Sequence, residues 1–92
     1  MTAVGSGLAA LERLATALGP GFITTLITGD GHTPRLSVIS RDNHAGEEVY
    51  ADEGGWFWWP WAERIAAIDD PLAAAYHVTA ALRGTAEARE RR

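Results

Sequence analysis

The side chains best suited to acid–base or metal chemistry form two pairs, in each of which a histidine follows an aspartate by two positions. The pairs are Asp30 with His32 and Asp42 with His44. They flank opposite ends of a predicted strand over 35–41, and seven extended residues span roughly 20 Å. The two pairs therefore cannot share one site, and each alone is typical of a solvated surface turn.

Catalysis has no other evident place in the sequence. No serine lies in a nucleophile-elbow context, and His77 falls inside a predicted helix without a sequence partner for a triad. The lack of cysteine excludes a disulfide framework, a thiol nucleophile and a cysteine-ligated zinc site. We therefore predict that the protein is not an enzyme and has no catalytic residues, metal site or cofactor.

The segment over 56–61 departs most from ordinary composition, because it holds all four tryptophans and a phenylalanine. If 56–59 form a strand, Trp56 and Trp58 lie on one face of the sheet and Phe57 and Trp59 lie on the other. A single layer of helices would cover only one of these faces.

Three interpretations of this segment stay open. In the first, one pair joins the core and a helix, a loop or the rim of the sheet covers the other. In the second, the aromatic residues form an interface with a protein partner or a second copy, where tryptophan is enriched. In the third, they stack on a flat ligand or an exposed base. The predicted interface residues are Tyr50, Trp56, Phe57, Trp58, Trp59 and Trp61.

Charge and hydropathy narrow the range of partners. The net charge is −4, all eight basic residues are arginines, and three of them lie among the last four positions. The remaining body is acidic, which argues against binding nucleic acid. No run approaches the roughly 18 to 20 apolar residues of a membrane span, and no secretory signal is evident. We expect a cytoplasmic protein without membrane partners.

The elements that position the aromatic segment are marked by periodicity and by Gly and Pro. Ser6 is a candidate N-cap for a first helix that ends at Gly19 and Pro20. Alternation of apolar and polar residues predicts strands over 22–28, 35–41, 47–52 and 56–59, with a hairpin turn over 29–31. Two helices follow, one from Pro60 through Ile68 and one capped by Asp70 that runs from Pro71 to Gly84.

This order predicts an α+β fold. We expect an antiparallel three- or four-stranded meander with an N-terminal helix and two C-terminal helices packed on one face. Residues 1–86 would form a single domain, and 87–92 a charged tail. The carboxylates around the third strand indicate a solvated, charge-protected edge or a docking surface for a basic partner; they are Glu47, Glu48, Asp52 and Glu53.

The stretch from Gly55 to Ile65, together with the preceding Leu-Ser-Val and Glu-Glu-Val-Tyr-Ala strands, resembles short uncharacterised proteins of actinomycetes. The resemblance spans residues 7–83 and implies no activity. The element order is also similar to the secretion-chaperone-like fold, whose α-β-β-β-α modules are dimeric and bind other proteins.

Two functional hypotheses follow. The first is a non-enzymatic protein-binding or regulatory adaptor module that self-associates through its aromatic-rich strand or binds a protein partner. The alternative is a sensor that binds a small molecule in a pocket lined by Trp56, Trp58 and Tyr76.

Overall fold

A computed structural model describes residues 3–28, 33–52 and 54–90 of the chain. Its elements are α1 (Ala3–Leu18), β1 (Phe22–Ile27), β2 (Arg35–Ser40), β3 (Gly46–Ala51), β4 (Trp56–Trp58), β5 (Arg64–Ala67) and α2 (Pro71–Glu90). The strands form one antiparallel sheet in the order β1-β2-β3-β4-β5, so neighbours in sequence are neighbours in the sheet. The predicted α+β meander is confirmed, with five strands in place of three or four and two helices in place of three.

Both helices pack on the same face of the sheet, where their apolar stripes meet every second residue of the strands. The largest fully buried side chains of this core are Leu11, Leu14, Leu36, Val38, Val49, Phe57, Val78 and Leu82. The alternate strand residues lie on the opposite face, which neither helix covers. We call this second surface the open face.

The start of α1 differs from the expectation, and its end agrees with it. Ser6 was the predicted N-cap, but the helix begins at Ala3 and Ser6 lies inside it. Serine and glycine cost a packed helix only up to about 1 kcal/mol each, so tertiary contacts override their low propensity. Gly19 has a φ of 79° and ends the helix as predicted, since glycine adopts the left-handed conformation without strain.

The predicted helix from Pro60 through Ile68 is wrong. Residues 59–63 form the loop of a hairpin, in which the amide of Trp59 donates to the carbonyl of Glu63 (2.8 Å), and β5 returns antiparallel to β4. The segment has an apolar stripe that suits a helix, but pairing with β4 satisfies its backbone and covers Ile65 at the same time.

The last helix begins as predicted and ends later. The Asp70 carboxylate accepts a hydrogen bond from the Ala73 amide (3.2 Å), and Pro71 occupies the first helical position. The predicted end was Gly84, but α2 continues through Glu90, because the Ala-, Glu- and Arg-rich sequence that follows favours a helix. The predicted turn over 29–31 lies outside the described residues.

Replacing Ala62 tests the hairpin that replaces the predicted helix. Ala62 has a φ of 64°, a conformation that costs a residue with a Cβ about 1 to 2 kcal/mol. We expect Ala62→Gly to raise the free energy of unfolding by about 0.5 to 1 kcal/mol in urea denaturation. If this position lay within a helix, Ala62→Gly would instead lower the free energy of unfolding. The control Ala80→Gly, at an exposed position of α2, should lower the free energy of unfolding by about 1 kcal/mol.

Candidate functional site

The aromatic residues of β4 divide between the two faces of the sheet, as their alternation predicts. Phe57 is fully buried and Trp59 is 7% exposed, and both belong to the core under the helices. Trp56 and Trp58 are half-buried on the open face. The first interpretation of the segment therefore accounts for Phe57 and Trp59, which are not available to a partner, and leaves the other pair for a surface role.

The register of the strands brings further side chains to the open face beside these tryptophans. Tyr50 of β3 lies directly opposite Trp58, and Arg64 of β5 lies opposite Trp58 on its other side. Arg35 of β2 is the cross-strand partner of Tyr50. Two aromatic rings are thus flanked by two arginines in one row across the sheet. Tyr50, Trp56 and Trp58, together with Arg64, are called the aromatic patch below.

Arg64 lies over both tryptophans of the aromatic patch. Its guanidinium carbon is 4.6 Å from the ring centroid of Trp56 and 5.5 Å from that of Trp58. Both distances fall within the range of cation–π attraction, which contributes about 0.5 to 1 kcal/mol at exposed sites. The arginine therefore shields the indole faces from water and keeps a positive charge at the centre of the patch.

Asp52 holds the two tryptophans from the end of β3. One carboxylate oxygen accepts a hydrogen bond from the Trp56 amide (3.0 Å), and the other accepts one from the Nε1–H of Trp58. Burial raises the pKa of Asp52, but these bonds, with further ones from the amides of Gly54 and Gly55, outweigh it and hold the pKa below its usual value. The carboxylate is therefore ionised at neutral pH and fixes the Trp58 ring.

A second polar cluster borders the aromatic patch on the side of β2. Arg35 Nε lies 3.2 Å from a carboxylate oxygen of Glu48, and the hydroxyl of Tyr50 donates to the other oxygen (3.4 Å). This arginine is therefore already neutralised by a neighbour. Among the described residues no carboxylate forms an ion pair with Arg64.

Trp61 lies apart from the aromatic patch. Its ring stacks on that of Trp59 with centroids 5.0 Å apart and planes 7° apart, and its Nε1–H donates to Glu63 (2.9 Å). Trp61 is 55% exposed. It therefore covers a core residue at the end of the sheet and does not join Trp56 and Trp58.

The residues predicted for a sensor pocket do not come together. Tyr76 is 72% exposed on α2, beside His77, which is also exposed. The helix packs against the core face of the sheet, whereas Trp56 and Trp58 are on the open face. A ligand that stacks on the tryptophans would therefore bind without Tyr76.

The two Asp-His pairs have different outcomes. Asp42 and His44 are exposed in the turn between β2 and β3, as expected of solvated residues. Asp30 and His32 lie outside the described residues, as does Glu53. In the part of the chain that the structure describes, no three side chains of metal-ligating type cluster together.

Arg64 and Asp52 are the site residues that sequence reasoning missed. The apolar stripe over 60–68 predicts a helix through Arg64, and the charge pattern indicates Asp52 only as one of the carboxylates that border a strand. A hairpin centred on 59–63 would have paired Trp58 with Arg64, but the Pro-Trp-Ala-Glu sequence of that loop carries no glycine to announce the turn.

Comparison with protein-family models, curated proteins and solved structures gives no match to this chain. The resemblances to short actinomycete proteins and to secretion-chaperone-like modules therefore stay predictions. Neither helix of the described chain combines the length and the hydropathy needed to cross a bilayer.

Asp52→Asn tests the anchoring of Trp58. Asparagine has one acceptor oxygen where aspartate has two, so it can accept from the Trp58 indole or from the Trp56 amide but not from both. We expect the free energy of unfolding at pH 7 to fall by about 1 kcal/mol, because solvent screens this partly buried group. A lowered folded pKa gives a stabilisation that is present above the unfolded value, about 3.9, and is lost as the pH falls further. Urea titrations at pH 7 and pH 3 should therefore show the two proteins converging in acid. The exposed Asp42→Asn is the matched control, and an equal loss there would contradict the assignment.

Arg64→Ala tests the shielding of the tryptophans. Without the guanidinium, the rings of Trp56 and Trp58 contact water, so we expect a red shift of Trp emission and a larger acrylamide quenching constant. Arg83→Ala removes another exposed arginine, on α2, and should change neither quantity. Equal spectra for the two variants would show that Arg64 does not cover the rings.

Proposed function

We propose that the protein is a non-enzymatic protein-binding module whose contact surface is the aromatic patch on the open face of the sheet. The observation that carries this proposal is the placement of Tyr50, Trp56 and Trp58 on the face that neither helix covers. Tryptophan, tyrosine and arginine are the residues most enriched among those that dominate binding energy at protein interfaces.

The patch is also held in position before any partner arrives. Asp52 fixes the Trp58 ring, and Arg64 spans both indoles. Side chains that are ordered in the free protein lose less conformational entropy on binding, which favours affinity. A patch assembled only for the stability of the core would not need these rings on the uncovered side.

The charges around the patch indicate the chemistry of the partner. Glu48 neutralises Arg35, whereas the described residues offer Arg64 no carboxylate. A guanidinium placed over aromatic rings, as that of Arg64 is, still has N–H groups that can bind a carboxylate in bidentate fashion. The fitting partner is a protein segment that places an acidic side chain at Arg64 and an apolar one against Trp58 and Tyr50.

The contact uses side chains and not strand addition. Both edges of β4 are already paired, one with β3 and the other with β5. The aromatic strand therefore cannot recruit a second copy through its backbone. Self-association at this strand would have to pack two open faces together.

We place the protein in the cytoplasm and expect neither nucleic acid nor membranes among its partners. The acidic body and the pairing of Arg35 leave little positive surface for a phosphate backbone. A small-ligand sensor remains the alternative, with a flat ligand stacked on Trp56 and Trp58.

Photo-crosslinking from the patch tests the proposal. A benzophenone residue at position 50 (Tyr50→p-benzoylphenylalanine) is irradiated in the source cells, and the adducts are identified by mass spectrometry. We expect a covalent adduct with another protein. The same residue at position 76 is the matched control, because Tyr76 is more exposed but lies away from the patch.

Affinity measurements on the purified pair then decide the role of the patch. Trp58→Ala should weaken binding about 30-fold, equivalent to roughly 2 kcal/mol at a central interface residue, while circular dichroism stays that of the folded protein. Adducts of equal yield at positions 50 and 76, or none at position 50, would contradict the proposal. Quenching of Trp emission by a flat metabolite, without any protein adduct, would favour the sensor.

A further inference from the structure

The two edges of the sheet differ in how they are protected against pairing with another strand. The edge strand β5 has only four residues, begins with the charged Arg64 and meets β4 in an irregular register at Phe57 and Trp58. Short length, charge and bulges are the devices by which natural sheets prevent edge-to-edge association. This edge is therefore closed to a further strand.

The other edge strand, β1, has none of these devices. Its sequence Phe-Ile-Thr-Thr-Leu-Ile contains no charge, no proline and no glycine, and its six residues pair with β2 in unbroken register. Residues of this kind have high β-propensity, and an uncharged edge of six such residues is a template for another strand. Ile23 on this strand is 44% exposed, and its cross-strand neighbour Ile39 is 37% exposed.

The backbone groups that β1 leaves unpaired follow from the ladder. The amide of Arg41 donates to the carbonyl of Gly21 (3.0 Å), so Gly21 faces β2. Because backbone groups alternate along an antiparallel pair, Thr24 and Leu26 direct their N–H and C=O groups away from β2. The Phe22 amide also faces outward, but it donates to the Gly19 carbonyl (3.4 Å). The backbone N–H and C=O groups of Thr24 and Leu26 can therefore form hydrogen bonds with another strand at this edge.

We propose that this edge joins two copies of the chain, with β1 of each copy pairing antiparallel to β1 of the other in a twofold-symmetric dimer. The inference concerns a surface separate from the aromatic patch and does not rest on the proposed function. It turns two five-stranded sheets into one continuous sheet of ten strands.

One register between the two β1 strands gives a hydrogen-bond partner to the free backbone groups of Thr24 and Leu26. With the twofold axis at Thr25, Thr24 of each copy exchanges two hydrogen bonds with Leu26 of the other, and the occupied Phe22 amide is not required. The same register places Ile23 opposite Ile27 of the second copy on the open face. A register centred on Thr24 would instead demand the Phe22 amide.

The occupant is a second copy because the edge is complementary to itself. It is uncharged, so two copies meet without repulsion despite the net charge of −4. An antiparallel pair of identical strands has the twofold symmetry that most oligomers use. The exposed Ile39 and Ile23 of one copy then continue into Ile27 of the next, which covers side chains that the monomer leaves in water.

Sedimentation and hydrogen exchange test this dimer. We expect the full chain to sediment at twice its 9.9 kDa mass, and the amides of Thr24 and Leu26 to be protected from exchange. Thr25→Lys brings two lysines about 5 Å apart across the axis and should give a folded monomer in which these two amides exchange rapidly. Ser37→Lys is the matched control, since the same charge one strand inward is about 14 Å from its counterpart and should leave the dimer intact.

A second variant tests the backbone contact itself. Thr24→Pro removes an N–H that faces away from β2, so the monomer should keep its circular dichroism while the dimer is lost. A monomeric wild-type chain with rapidly exchanging Thr24 and Leu26 amides would overturn the proposal. So would a dimer that persists in both Thr25→Lys and Thr24→Pro. Trp58→Ala should not change the mass, which separates this surface from the aromatic patch.

Discussion

Both helices pack on the same face of the five-stranded sheet, and the remaining organisation of this protein depends on that arrangement. The helices lie over the face that carries Val38, Val49 and Phe57, where the core is fully buried. Among the described residues, no further helix or strand lies over the second face. Every side chain on that face must therefore be compatible with water, be shielded by its neighbours, or be covered by another molecule.

The open face meets this requirement by holding its aromatic residues in polar surroundings. Asp52 accepts a hydrogen bond from the indole N–H of Trp58, and Arg64 covers the rings of Trp56 and Trp58 on the open face. These contacts reduce the cost of hydrating large rings without burying them. They also leave the rings fixed and the arginine charged, as the proposed binding of an apolar and an acidic side chain requires.

The sequence predicted those features that local patterns determine. Alternation located the strands and separated Phe57 from Trp58, Gly19 marked the end of α1, and Asp70 marked the start of α2. It failed at β5, because Ile65 and Ile68 have helical spacing and only pairing with β4 makes the segment a strand. That error also concealed Arg64, since a cation–π contact across a hairpin depends on register and not on composition.

The two proposed surfaces are compatible because they use different parts of the same sheet. Packing two open faces together would bury both aromatic patches and leave none for a partner. Pairing at β1 joins the sheets side by side, with the patch of each copy displaced toward the far strands β4 and β5. The dimer would then present two patches on one continuous surface. Consider a partner with two segments, each of which offers an acidic and an apolar side chain. Once its first segment has bound one patch, the second segment would bind the other patch as an intramolecular event, so dimerisation would raise avidity without changing any contact within a patch.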